Sequence, residues 1–317
     1  MARKTTTGLG KLGLLARDIK LAHSVFALPF AFLGVFIAAG GWPGEPSAVA
    51  GSADWPDTAL NGSIRLLLIF LSMFLARSYA MLMNRYLDRD IDKANPRTAG
   101  RAIPSGIVLA EEVKRAAIVN AVGLIVVAGM FAVLDDNWSP LAASPVVLAW
   151  LGIYPLAKRH TDWCHYVLGG ALALSVPAAA LAIEPSVLLN RNGAAIWLLA
   201  GFVMLWVAGF DIIYGLADIE FDREHGVHSL PARFGKGDAL YISGATHLGA
   251  GVLLALSWLF GPAEFHVLYG LGVIGTVGML VYEQRAAARG EFETAFFTVN
   301  GVIALLLGAL GILDMLV

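Results

Sequence analysis

The sequence predicts an all-α, polytopic membrane protein with nine transmembrane helices, organised as a single domain over residues 1–317. Three observations predict it. Hydrophobic residues make up 58% of the chain and charged residues only 15%, with a mean hydropathy of +0.71; a soluble domain is nearer to about a quarter charged. Nine apolar stretches are each long enough, at ~17–25 residues, to cross a bilayer as a helix. Lysine and arginine gather in alternate connections, as the positive-inside rule requires.

The stretches run over 21–41, 63–84, 114–134, 141–157, 164–183, 194–215, 238–260, 264–283 and 295–316. The first follows a basic segment (Arg3, Lys4, Lys11, Arg17, Lys20) and lacks a small-residue cleavage site, so it reads as a retained span rather than a removed signal. Seven cations follow the second span, from Arg85 to Arg115. The fourth and fifth spans are short and meet at Lys158 and Arg159. Arg223, Arg233 and Lys236 follow the sixth, and Arg285 and Arg289 the eighth. Nineteen of the 22 lysines and arginines thus fall on one side, which places the N-terminus and these loops in the cytoplasm. The opposite connections are turn-rich and poor in cations, as in LDDNWSP and FGPAEF. With one cysteine, Cys164, an intrachain disulfide is impossible, and a net charge of −2 gives no reason to expect a nucleic-acid partner.

Two stretches depart from this apolar background. In LMNRYLDRDIDKANPRTAGRAIPSG, Asn84, Asp88 and Asp92 are spaced by four, which puts them on one helical face, with Arg89, Lys93, Arg97 and Arg101 close by. In DIIYGLADIEFD, Asp211, Tyr214, Asp218 and Asp222 again share one face. Both lie at the cytoplasmic ends of even-numbered spans. Carboxylates beside cations at the mouth of an apolar bundle suit a Mg²⁺-bridged phosphate, because Mg²⁺ takes a few carboxylates plus phosphate oxygens in preference to an all-protein cage. Arg77 lies two turns before Asn84. A cation at that depth should face a polar cavity or a carboxylate, whether for function or to lock two helices. The seven histidines show no metal-ligand spacing; His23, His247 and His266 read as packing residues, and His160, His165, His225 and His228 lie on the cytoplasmic side. An aromatic face at Tyr154 or Tyr214 would stabilise a developing cation, although core packing accounts for them as well.

These motifs resemble the UbiA superfamily of intramembrane aromatic prenyltransferases. The first matches through Asn84, Asp88 and Asp92, followed by Arg97, Thr98, Arg101, Pro104, Ser105 and Gly106. The second matches through Asp211, Tyr214, Asp218 and Asp222, and YPLAKRHT between them through Tyr154, Pro155, Lys158, Arg159 and Thr161. The resemblance implies a bundle around a central cavity in the cell (inner) membrane and transfer of a prenyl chain from polyprenyl diphosphate to an aromatic acid acceptor in quinone biosynthesis. It implies Asn84, Asp88, Asp92, Asp218 and Asp222 at the Mg²⁺–diphosphate site and Lys158, Arg97 and Arg101 in contact with diphosphate. Asp211 would orient the acceptor, accept the ring proton, or partner Arg77 or Lys20. Two departures stand out: Arg85 replaces an Asp found in many members, and His228 replaces a Lys. With FALPFA in the first span, they look more like the futalosine-pathway menaquinone branch than the ubiquinone branch, and Arg85 and Arg77 would then bind the acceptor carboxylate. The alternatives are a 4-hydroxybenzoate polyprenyltransferase proper or, in another class, a transporter with an Asp/Arg-lined path. A phospho-alcohol transferase would need a D-G-x-x-A-R signature that the sequence lacks.

Overall fold

A computed structural model describes residues 27–44, 59–262, 265–291 and 298–317, all helices and connections with no strand among them. Seven helical stretches among these residues are long and apolar enough to cross a membrane: Gly62–Leu87, Ala110–Asp135, Ser139–Arg159, Cys164–Ile183, Gly193–His225, Leu230–Leu259 and Val267–Ala288. Two shorter apolar helices, Leu28–Ala39 and Asn300–Asp314, stand where the first and ninth spans are expected. At 12 residues the first is about 18 Å long, and the start of its expected range lies outside the described residues, as do Lys20 and the N-terminal cations.

In chain order the helices are α1 (Leu28–Ala39), α2 (Ala59–Leu87), α3 (Arg89–Ala94), α4 (Ala110–Asp135), α5 (Ser139–Ile153), α6 (Cys164–Ala173), α7 (Ser175–Ile183), α8 (Arg191–Gly215), α9 (Ile219–His225), α10 (Leu230–Leu259), α11 (Val267–Ala288) and α12 (Asn300–Asp314). Helix α2 packs on α4 and α5, α8 lies between α6 and α10, and α1 is held by α7 and α12.

Prolines account for the breaks nearest the site. Pro155 has no N–H to return to the Leu151 carbonyl, and the chain tightens into a 3₁₀ turn over Tyr154–Arg159. Pro177 does the same to Ala173, and the expected fifth span divides at Leu174 into α6 and α7. The expected sixth span (194–215) continues beyond Gly215 through a 3₁₀ turn at Leu216–Asp218 into α9. The seventh, expected from 238, is preceded by a short helical turn from Leu230, where Ser229 Oγ accepts from the Ala232 N–H; the two pieces join across Gly235, which is non-helical with a left-handed φ of 83°.

The core is aromatic where α1, α8 and α11 meet. Phe30 packs edge-on to Phe202 and Trp206, and both Trp206 and Tyr269 are fully buried. Without a hydrophobic drive between helices in lipid, buried polar contacts specify the partners. Trp206 Nε1 donates to Asn300 Oδ1 at 2.5 Å, and Asn300 Nδ2 donates to Glu283 Oε1 at 2.8 Å, tying α8, α12 and α11. His247 takes the interface role expected of it, meeting the Trp206 carbonyl at 3.2 Å and Gln284 at 2.9 Å. At the far end of α2, buried Arg65 donates to the Pro43 carbonyl at 2.9 Å and forks onto Asp135 of α4.

Candidate active site

The two acidic motifs meet. The end of α2 with α3 supplies Asn84, Arg85, Asp88, Asp92, Asn95, Arg97 and Arg101; the 3₁₀ turn after α5 supplies Tyr154 and Lys158; α8 and its continuation supply Asp211, Tyr214, Asp218 and Asp222. All line one polar basin of about 240 Å³. The helical spacing of the first motif survives the break at Asp88, because the Asp88 N–H reaches the Asn84 carbonyl at 2.9 Å and the Asp92 N–H reaches that of Asp88 at 2.7 Å. A slot of this kind needs close helix contact behind it. A Cβ on Gly169 of α6 would stand 2.2 Å from the Met204 carbonyl oxygen of α8, so glycine allows the backbones to touch.

Within the basin each carboxylate has a donor. Lys158 Nζ lies 2.5 Å from Asp88 Oδ2, and Arg101 Nη1 lies 2.6 Å from Asp92 Oδ1. Arg97 Nε donates to Asp218 Oδ1 at 3.0 Å, its Nη2 bonds the other oxygen, and its Nη1 donates to Tyr214 Oη at 2.7 Å. Asn95 Nδ2 also reaches Asp218 Oδ1, at 3.1 Å, and Ser229 Oγ donates to Asp222 Oδ2 at 2.9 Å. Burial pushes the Asp88 carboxyl above its ordinary range, against the pull of the Lys158 ammonium. Beside the basin, the Arg233 and His228 hydrogen bonds hold Asp162 below it. The His228 N–H reaches the Lys158 carbonyl at 2.7 Å and steadies that turn.

Two buried oxygens of the basin's described residues remain without a partner: Asp88 Oδ1 and Asp92 Oδ2. An orphaned buried carboxylate oxygen is costly, and a cation satisfies it. Among the described residues no three His, Cys, Asp or Glu side chains converge on a point, so the protein alone does not cage a metal. The donor set is hard oxygen, in pairs on opposite walls, and fits a Mg²⁺ ion whose remaining ligands come from elsewhere.

Tyr154 lines both this basin and a second cavity of about 350 Å³, walled by apolar residues such as Ile69, Phe70, Met73, Phe74 and Leu172. Arg77 lines the apolar cavity and not the basin. Neither the polar cavity nor the carboxylate expected for it is found: its Nε is buried without a hydrogen-bond partner, and no described carboxylate bonds it. Arg85 does line the basin and donates to Asn84 Oδ1 at 3.3 Å, while Asn84 Nδ2 lies 3.4 Å from Tyr154 Oη.

Asp211 corrects another expectation. Its partner is His165, whose Nδ1 lies 2.7 Å from Asp211 Oδ2, and not Arg77; the other proposed partner, Lys20, lies outside the described residues. His165, Asn95 and Ser229 are site residues that sequence reasoning missed. Asn95 carried a signal, since an Asn before a Pro at a helix end commonly turns its side chain onto nearby groups.

Comparison with known proteins accords with this geometry. The chain is 32% identical to the 4-hydroxybenzoate octaprenyltransferase of Escherichia fergusonii over 257 residues, covering 80% of this chain and 84% of that one. Among solved structures it resembles the apo form of a UbiA homologue from Aeropyrum pernix K1, with a TM-score of 0.76, 30% identity and coverage of 93% and 99%. It shares its fold with a UbiA homologue from Archaeoglobus fulgidus bound to GPP and Mg²⁺, at a TM-score of 0.63 and 17% identity, covering 95% and 99%. The model of the UbiA prenyltransferase family matches residues 27–306, and the chain, a multi-pass membrane protein, belongs to that family.

Proposed function

We propose that the protein transfers a polyprenyl chain from its diphosphate to an aromatic acid in respiratory quinone biosynthesis. One observation carries the reading: two carboxylate motifs from distant parts of the chain share a basin that adjoins an apolar cavity at Tyr154. A diphosphate fits the first and a prenyl tail the second. The relatives' names support an aromatic acid as acceptor. Asp88, Asp92, Asp218 and Asp222, with Asn84, are the groups that hold Mg²⁺. When bound, Mg²⁺ neutralises diphosphate charge and makes it a better leaving group.

The chain's own residues do the rest. Lys158, Arg97 and Arg101, now on carboxylates, exchange those contacts for phosphate oxygens, most strongly as the allylic C–O bond breaks and its electron pair leaves with diphosphate. The Tyr154 and Tyr214 faces stand beside the allylic carbon as positive charge develops. The electron-rich ring then attacks, and Asp211 takes the proton displaced from the ring.

For the acceptor, the reading takes a naphthoate-type acid over 4-hydroxybenzoate on the likeness of Arg85 and its neighbours to the menaquinone branch; Arg85 adds a cation to the basin, and its fork suits the carboxylate that either acid carries. Arg77 lines the apolar cavity and not the basin, so Arg85 alone is the arginine of that reading. The relatives at 31–32% identity favour 4-hydroxybenzoate. Mass spectrometry of products from polyprenyl diphosphate and both acids in competition, with and without Mg²⁺, tests the reading. Mg²⁺-dependent prenylation of the naphthoate is expected; clear preference for 4-hydroxybenzoate overturns the acceptor choice, and no prenylated aromatic overturns the function.

The same reading takes the chain as one domain over 1–317 with nine passes. The short α1 and α12 serve as the first and last, and the N-terminus and basin lie on the cytoplasmic side of the cell (inner) membrane. The cation asymmetry supports it.

A further inference from the structure

We propose that His165 is a positioning residue for prenyl transfer: its Nδ1–H holds one oxygen of Asp211 so that the other is presented to the acceptor ring. The inference rests on the prenyl-transfer reading above. The pair is graded in exposure, with the His165 side chain 4% exposed and that of Asp211 24%. Both line the basin, so the carboxylate stands forward and the imidazole behind it. His165 Nδ1 lies 2.7 Å from Asp211 Oδ2, while no described residue donates to Oδ1. A carboxylate only accepts, so a hydrogen sits on Nδ1 and points at Oδ2, while Nε2 is buried away from the pair. That atom has no protein partner.

The surroundings hold the ring in place. A Cβ on Gly215 would stand 3.4 Å from His165 Cε1 and 3.3 Å from Pro231 Cγ, so a side chain at 215 would crowd the imidazole. The Gly169–Met204 contact fixes α6 against α8, on which the two residues sit. With Oδ2 engaged, proton uptake is directed to Oδ1. The ring C–H bond breaks, its electron pair restores aromaticity, an O–H bond forms at Oδ1, and the released diphosphate or water then removes that proton. Groups that orient metal ligands from behind change activity by about 10- to 100-fold when removed, and the same scale is expected for a group that orients a proton acceptor.

The test uses the full-length protein in lipid nanodiscs with Mg²⁺, polyprenyl diphosphate, and 4-hydroxybenzoate or dihydroxynaphthoate, whichever the wild type prenylates. His165→Ala is expected to lower kcat by about 10- to 100-fold with little change in the KM for prenyl diphosphate. His165→Asn, which keeps a donor near the Nδ1 position, should recover most of the loss. In an Asp211→Asn background, His165→Ala should cost little more, because both act through one carboxylate. A helix tether alone predicts the opposite: Asn no better than Ala at equal thermal stability, or a full additional loss in the Asp211→Asn background, and either result overturns the proposal. Should the Ala variant not fold, His165→Phe, which fills the space without a donor, replaces it in both comparisons. A wild type that prenylates neither acid overturns the prenyl-transfer reading and this inference with it; an active wild type matched by His165→Ala overturns the inference alone.

Discussion

Asp88 joins two roles that pull against each other in a folded protein. It is almost fully buried, with one oxygen on Lys158 and the other unpartnered, in a basin built to be filled. Asp88→Ala or Asp218→Ala should therefore lower turnover by roughly 100-fold or more, since the lost charge is used mainly in the transition state. Thermal stability should change little for Asp218→Ala and fall for Asp88→Ala, which takes the buried carboxylate from Lys158; near-normal turnover at saturating Mg²⁺ would remove these residues from the metal site. Arg85 carries a finer expectation. If it holds the acceptor carboxylate, Arg85→Lys keeps the charge, loses the fork, and should raise the acceptor KM about 10-fold while leaving that for prenyl diphosphate unchanged. Equal rises in both would assign Arg85 to the diphosphate instead. The aspartates were legible in the sequence because helical spacing advertises a shared face, but His165 was not. Its partner is 46 residues away, and only the packing of α6 on α8 brings them together; a lone histidine in an apolar run carries no periodic signal.

At the level of elements, hydropathy located the membrane stretches and missed their interruptions. The expected range 164–183 matches the structure's limits, yet it holds the bend that Pro177 imposes between α6 and α7. The continuation of α8 into the 3₁₀ turn and α9 was also hidden, because its charged residues look like a loop to a hydropathy window. Prolines and glycines decide such points through backbone geometry, to which apolar periodicity is blind. Gly169 gives the element-scale prediction. Gly169→Val must push α6 from the Met204 carbonyl, which should destabilise the protein by about 1–3 kcal/mol and lower activity by moving His165 from Asp211. Thermal denaturation in detergent measures the first effect and turnover the second. Unchanged values for both would show that the two helices can part without cost.

For the whole molecule, cation counting supplied an orientation before any coordinates did, and it can be tested directly. In a Cys164→Ala background, cysteine at exposed position 93 or 225 should resist a membrane-impermeant maleimide in intact cells and react in inverted vesicles; labelling from outside would reverse the topology. The ion pairs of the basin have a further consequence. Lys158 on Asp88, Arg101 on Asp92 and Arg97 on Asp218 make the resting enzyme its own counter-ion. A divalent cation arriving alone can reach the unpartnered Asp88 and Asp92 oxygens, but it is repelled by ammonium and guanidinium groups already paired to the same carboxylates. A diphosphate arriving alone must draw those groups off carboxylates that are then left bare. Arriving together, each ligand receives the partner that the other releases, so the two should bind with strong positive coupling. Thermal stabilisation by Mg²⁺ plus inorganic diphosphate should accordingly exceed the sum of their separate effects, and a merely additive shift would show that the pairs open independently. Such coupling would keep the basin closed to stray metal and phosphate, so that the charged site assembles only when a metal-loaded diphosphate enters as a unit.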